Sequence, residues 1–261
     1  MKPDITLGVL DFGSVDVGSS ARQRAHETVT LAREAERLGY HAFWISEHRS
    51  PTSAWHEALP FLEVLAASTE TIRIGSAGLL ARYYSPEVVV KTVSNLVAAY
   101  GSRFDIGVSR GKSQFEEQTC SEESLLINLQ ALLPKVASVG AETWITGNSA
   151  TSKTLAETFS SGWAVSTFHA KVDISILSAF AANGGRIALA TTVVVESSTE
   201  QPSLNKNPFM QPYVVGDAQV VGEAIRNLAA DMRPQLMMIL DLEQNPRIRV
   251  QNLKAIAKSI V

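Results

Sequence analysis

Arg110 and Gly111 stand where an apolar run, Phe104–Val108, gives way to the polar stretch that begins at Ser109. A guanidinium forks onto an anion such as phosphate through paired charge-assisted bonds, and an adjacent glycine lets the backbone come close. A salt bridge on the rim of a barrel is the plainer use of the same residues. His48 follows Glu47 at the end of another apolar run, Ala42–Ser46. Its imidazole titrates near neutrality and can move a proton, or it serves as a surface or capping histidine. Arg49 beside it offers a second cation, for an anion or substrate or for solvent. Asn148, Ser149 and Ser152 open a helix, where unpaired N–H groups and hydroxyls receive phosphate or form an ordinary cap. Ser76-Ala77-Gly78 brings small residues together in a strand, as a bulge or a close backbone approach requires. Phe12, Phe168 and His169 sit at strand ends, where they line a pocket or pack in the core.

The elements that must position these residues repeat one unit. Ile5–Leu10, Ala42–Ser46, Ile72–Leu80, Phe104–Val108, Thr143–Thr146, Trp163–Thr167, Arg186–Val195 and Gln235–Leu240 read as eight strands. Helices are expected from Ser19 or Ser20 to Leu38, over 57–68, from Pro86 to about Ala99, over 121–139, 150–159 and 172–182, from Asp217 to Ala230, and over 246–260. Pro134 predicts a kink or an early stop in the fourth helix. Residues 197–216, rich in Ser, Asn and Pro, read as an irregular loop. Eight strand–helix pairs close naturally into a parallel (β/α)8 TIM barrel, a doubly wound open sheet being the other arrangement, with the candidate residues at the carboxyl ends of the strands, where such barrels place chemistry. No shift in composition divides residues 1–261, which are expected to form one domain.

Of 261 residues, 45% are hydrophobic and 19% charged, enough to bury a sizeable core. The formal net charge of −3 gives no reason to expect nucleic acid or an anionic membrane as a partner. The single cysteine, Cys120, excludes an internal disulfide and fits a reducing cytoplasm. No apolar run is long enough to span a bilayer. His, Asp and Glu are too scattered for a metal site, and neither a Walker nor a dinucleotide-binding glycine pattern occurs.

In order along the chain, Leu7–Ser14, the Ala-Glu-Arg-Leu-Gly-Tyr run at 35–40, Phe43–His48, Ile72–Gly78, Tyr84-Ser85-Pro86, Arg103–Gly107 with Arg110-Gly111, and Val214–Asp217 resemble the bacterial luciferase-like flavin-dependent monooxygenase family. The resemblance implies a barrel that uses reduced FMN and dioxygen on a small organic substrate such as an aldehyde. A separate flavin reductase would supply the reduced flavin. It further implies His48 as proton carrier, Arg110, Gly111, Asn148, Ser149 and Ser152 around the phosphate, and Ser109 near the ring. Ser76, Ala77 and Gly78 would lie against the flavin face with a non-prolyl cis peptide among them. Phe12, Arg49, Phe168 and His169 would line the substrate pocket. A homodimer or heterodimer is expected, and the apolar helix face of Val88, Val89, Val93, Leu96 and Val97 leaves room for it.

Two departures from the family pattern stand out. The excursions after strands four and seven are short, and Glu47-His48-Arg49 stands where the family often has Glu-His-His. Ser109 occupies the place of the reactive cysteine in the luciferase catalytic subunit. A non-catalytic flavin-binding or subunit-like barrel is therefore the alternative reading, and a deazaflavin-dependent dehydrogenase a further one.

Overall fold

A computed structural model describes residues 5–15, 19–110, 122–159, 161–168, 173–196 and 211–260. The strands are β1 (Leu7–Asp11), β2 (Ala42–Ile45), β3 (Arg73–Leu80), β4 (Phe104–Ser109), β5 (Glu142–Thr146), β6 (Gly162–Ser166), β7 (Ile187–Val195), β8 (Val214–Gly216) and β9 (Leu236–Asp241). All except β8 form one closed ring. Each of the first seven pairs with its successor in parallel, and β9 lies between β7 and β1. The expected eight-stranded parallel barrel is thus the observed one, with strand limits shifted by a residue or two. Its helices are α1 (Ala21–Arg37), α2 (Leu59–Ala66), α3 (Pro86–Tyr100), α4 (Glu122–Ser138), α5 (Ala150–Thr158), α6 (Ile174–Ala182), α7 (Ala218–Met232) and α8 (Pro246–Ile260).

Three expectations need correction. Val214–Gly216 is a strand, not irregular chain. It pairs with Val193–Val195, where β7 extends beyond its pairing with β9, and two β-branched valines suit that edge. Residues 197–210 of the same stretch lie outside the described residues. Helix α4 runs past Pro134 to Ser138. The carbonyl deprived of its donor belongs to Gln130, and Gln130 and Pro134 are both exposed, so water can replace the lost bond. Finally, Val89, Val93 and Leu96 of α3 are fully buried in the core, which leaves Val88, 56% exposed, as the outward remnant of the face assigned to a partner.

Side chains divide cleanly at the barrel wall. Phe43 and Ile45 of β2 join the layer between sheet and helices, whereas Ala42 and Trp44 point inward with Leu10, Trp144, Ala188, Leu236 and Met238. The amino-terminal end of the barrel is filled by pairing large residues with glycines. A Cβ on Gly75 would lie 2.5 Å from the Trp44 ring, and one on Gly162 would lie 2.2 Å from Trp144. The two indoles meet at 5.3 Å. Trp44 Nε1 donates to Asp105 Oδ2 at 2.9 Å, and Arg73 closes the base through Asp105 Oδ1 at 2.6 Å. The bond to Asp105 offsets the cost of burying the Trp44 indole N–H.

On the outer side, the buried carboxylate of Asp11 ties β1 to two helices. It accepts hydrogen bonds from Arg24 (2.9 Å) and Thr28 (2.7 Å) of α1 and from Arg249 (3.4 Å) of α8. Burial alone would raise its pKa. The guanidiniums of Arg24 and then Arg249 outweigh that and hold the carboxyl well below the usual carboxylate range. Its contribution to stability is therefore present above the unfolded value of 3.8 and is lost as pH falls below it. Asp11→Asn removes the carboxylate that Arg24 and Arg249 share and leaves Arg24 only Glu27 at 3.4 Å, and urea denaturation at pH 7 should show a loss of about 3–5 kcal/mol. The gap from wild type should narrow as the titration is repeated at progressively lower pH.

Candidate active site

The loops after β1 and β2 are bonded to each other before they reach the mouth of the barrel. Ser14 and Ser53 form an antiparallel bridge, Ala54 N–H donates to Gly13 O, and Val15 N–H donates to Thr52 O, the last two at 2.8 Å. Trp55 covers the bare Cα of Gly13, whose positive φ of 62° suits glycine, and donates its indole N–H to Ser46 O at 2.7 Å. Phe61 stacks on Trp55 at 4.7 Å.

Glu47 is the anchor of the second loop. It is 2% exposed and accepts from Ala58 N at the start of α2 (3.0 Å), Leu80 N at the end of β3 (3.4 Å) and the Tyr84 hydroxyl (2.5 Å). Burial pushes its pKa up against the pull of these bonds and of the Arg49 charge. Burial and the Glu47 carboxylate likewise push the Tyr84 phenol up, so it remains a donor.

Three of the expected site residues meet above the barrel. The Phe12 ring lies 5.0 Å from the His48 imidazole and 5.7 Å from the Phe168 ring. Phe12 is buried, Phe168 half-buried and His48 exposed, which grades the group from apolar floor to wet rim. Below them Ala77, Ala164 and Ala190 pack against the inner cluster. They present small side chains at this level, where the base carries Trp44 and Trp144. The Ala77–Gly78 peptide is cis, as the family resemblance implied for this segment. The β3–β4 register shifts between Ser76 and Leu79, the irregularity expected of this run of small residues.

The other expected residues are placed less uniformly. Ser76 uses its hydroxyl on Gly107 O (2.9 Å), a bond between strands. Arg49 lies 4.0 Å above the Tyr83 ring centroid, with Glu57 at 3.9 Å, at the side of the mouth. Ser109 and Arg110 are half-buried where β4 ends, and the Arg110 carbonyl accepts from Arg82 Nε at 2.8 Å. Asn148 bridges to β6, donating to Ser166 O (2.7 Å) and accepting from Ser166 N (2.9 Å). Ser149 caps α5 by accepting from Ser152 N (3.1 Å), and its hydroxyl lies 2.9 Å from that of Ser152. Because β4 pairs with β5, Arg110 and the amino end of α5 leave neighbouring strands on the same side of the barrel. Gly111 and His169 lie outside the described residues. No group of three His, Cys, Asp or Glu among the described residues is placed to hold a metal.

Sequence reasoning passed over Ser46, Glu47 and Trp55 as site components. The alternation along β2 was the available signal: Ala42 and Trp44 point in and Phe43 and Ile45 point out. An open groove of about 910 Å³ lies elsewhere, between α1 and α8, and includes Gln23, His26, Glu27 and Arg247 but no residue of the mouth.

Residues 5–124 match the model of the luciferase-like monooxygenase family, so the first four strands carry that family's sequence pattern. A luciferase-like monooxygenase of Escherichia coli K12 is 36% identical over 107 residues, 41% of this chain and 32% of the relative. The chain thus spans about a third of the length of the curated relatives it matches first. Over nearly its whole length the fold is similar to apo-MsnO8, with a TM-score of 0.83 at 21% identity and 98% of each chain covered. The FMN-bound oxygenating constituent of 3,6-diketocamphane monooxygenase from Pseudomonas putida follows, with a TM-score of 0.75 at 16% identity and 98% of each chain covered. The resemblance drawn from the ordered motifs is therefore returned by sequence over 5–124, and the solved structures share the barrel fold.

The Glu47 anchor yields a direct test. Tyr84→Phe removes one donor from a buried carboxylate, and chemical denaturation at pH 7 should show a loss of about 1.5–3 kcal/mol. It should also raise the Glu47 pKa further, because the Tyr84 bond opposes the effect of burial.

Proposed function

We propose that the chain is a flavin-dependent oxidoreductase of luciferase-like type that uses reduced FMN and dioxygen on a small organic substrate such as an aldehyde. The observation that carries the reading is the grouping of Phe12, His48 and Phe168 over a barrel mouth of small residues. A flat ring needs apolar walls and bare backbone on which to lie, and proton transfer needs one titratable group at its edge. The family pattern in residues 5–124 and the FMN held by a protein of similar fold support the same reading.

FMN fits the residues present. Arg110 would meet its phosphate as a bidentate cation, and the amino end of α5, capped by Ser149, would offer backbone N–H groups. Ala77 and Gly78 would support one face of the ring. When bound and reduced, the flavin supplies the electrons and the atom on which dioxygen is activated. The protein's part is to exclude water with Phe12 and Phe168, hold the substrate beside the ring, and move a proton at His48. Its imidazole is well placed for this, exposed at the rim while Glu47, next in the chain, is locked below. A separate flavin reductase would reduce the FMN.

The alternative, a barrel that binds flavin without turning it over, is favoured by the short excursions after strands four and seven and by Ser109 in the place of the reactive cysteine of the luciferase catalytic subunit. One experiment separates the two. His48→Ala should leave FMN affinity within about twofold of wild type and lower steady-state turnover by about 10²-fold or more. Unchanged turnover with intact binding contradicts the role of His48. Wild-type protein that binds FMN without consuming oxygen on substrate favours the binding barrel.

A further inference from the structure

Ser46 lies one residue beyond β2, and its N–H continues the β1–β2 ladder by donating to Asp11 O at 3.1 Å. The alternation of the strand therefore extends through it. Ile45 points outward into the helix layer, and Glu47 points outward to α2 and Tyr84. Ser46 between them faces the inside of the barrel, one inward position beyond Trp44, at the level of Phe12 and Ala77. It is 2% exposed, and its Oγ is buried without a hydrogen-bond partner among the described residues. Its carbonyl is already engaged by Trp55, so the residue is held in place.

An unpaired buried hydroxyl is costly, whereas alanine at the same position would cost nothing of that kind. A small polar group set just beneath a mouth walled by Phe12, Phe168 and Ala77, at the level of Phe12 and Ala77, is the arrangement by which an apolar pocket fixes the orientation of a ligand.

We infer that the Ser46 hydroxyl is a ligand contact, hydrogen-bonded to a polar edge atom of the flavin ring when the mouth is filled. The assignment rests on the flavin reading above and adds the residue that sets the rotation of the ring within the mouth. Ser46 is then a binding residue facing His48 from deeper in the barrel, and its loss affects affinity before it affects proton transfer.

The test compares wild type with Ser46→Ala in two measurements. Without flavin, the variant should melt about 2–4 °C higher, because an unpaired hydroxyl has been removed. In an anaerobic titration followed by flavin fluorescence, it should bind FMN about tenfold more weakly, with a shifted absorption band of the bound flavin. Equal affinity and an unshifted band overturn the assignment and leave the flavin reading standing. A lower melting temperature in the variant shows that the hydroxyl already has a partner within the fold, and also overturns it. Failure of the wild type itself to bind FMN overturns the flavin reading, and is distinguished because the unmodified protein fails.

Discussion

Trp44 rests on the bare backbone of Gly75, donates its indole N–H to Asp105, and meets Trp144, which rests in turn against Gly162. These pairings of a large ring with a missing side chain fill the amino-terminal end of the barrel, and Arg73 seals it through Asp105. A parallel barrel is normally packed solid by layers of inward side chains. Here the lower layers take enough of the load that the upper one can be built from Ala77, Ala164 and Ala190.

Rigidity at that mouth comes from below and from outside. Glu47 draws the start of α2, the end of β3 and Tyr84 onto one buried carboxylate, and Trp55 fastens Gly13 to the Ser46 carbonyl. Asp11 does the same for β1, between Arg24 and Arg249. The groups with the largest desolvation costs are thus the ones with the most partners, while exposed His48 stands on the frame they make. Buried polar groups at strand ends are expensive unless satisfied, and here they hold the loops that carry the candidate chemistry.

The eight barrel strands were legible because each is a short, mainly apolar run bounded by polar or glycine residues, close to the signature of strands covered on both faces. Val214–Gly216 was not, since three residues beside a Ser- and Pro-rich stretch become a strand only when the long β7 offers them an edge. At the site, the positions of Phe12, His48 and Phe168 at strand ends could be read, but their mutual contact depends on closing the ring. The uses of Ser76 and Asn148 were invisible for the same reason: their partners, Gly107 and Ser166, belong to other strands. The inward direction of Ser46 follows from the alternation along β2, but its unpaired hydroxyl exists only in the closed barrel.

Activity of the proposed kind requires that this barrel bring reduced flavin, oxygen and substrate together. The direct measurement is a stopped-flow experiment in which the protein, loaded anaerobically with reduced FMN, is mixed with oxygenated buffer and followed by flavin absorbance, with and without a long-chain aldehyde. The account predicts reoxidation at a rate distinct from that of free reduced FMN, through a resolved phase that the aldehyde accelerates. Reoxidation indistinguishable from that of free reduced FMN, indifferent to the aldehyde, would contradict it.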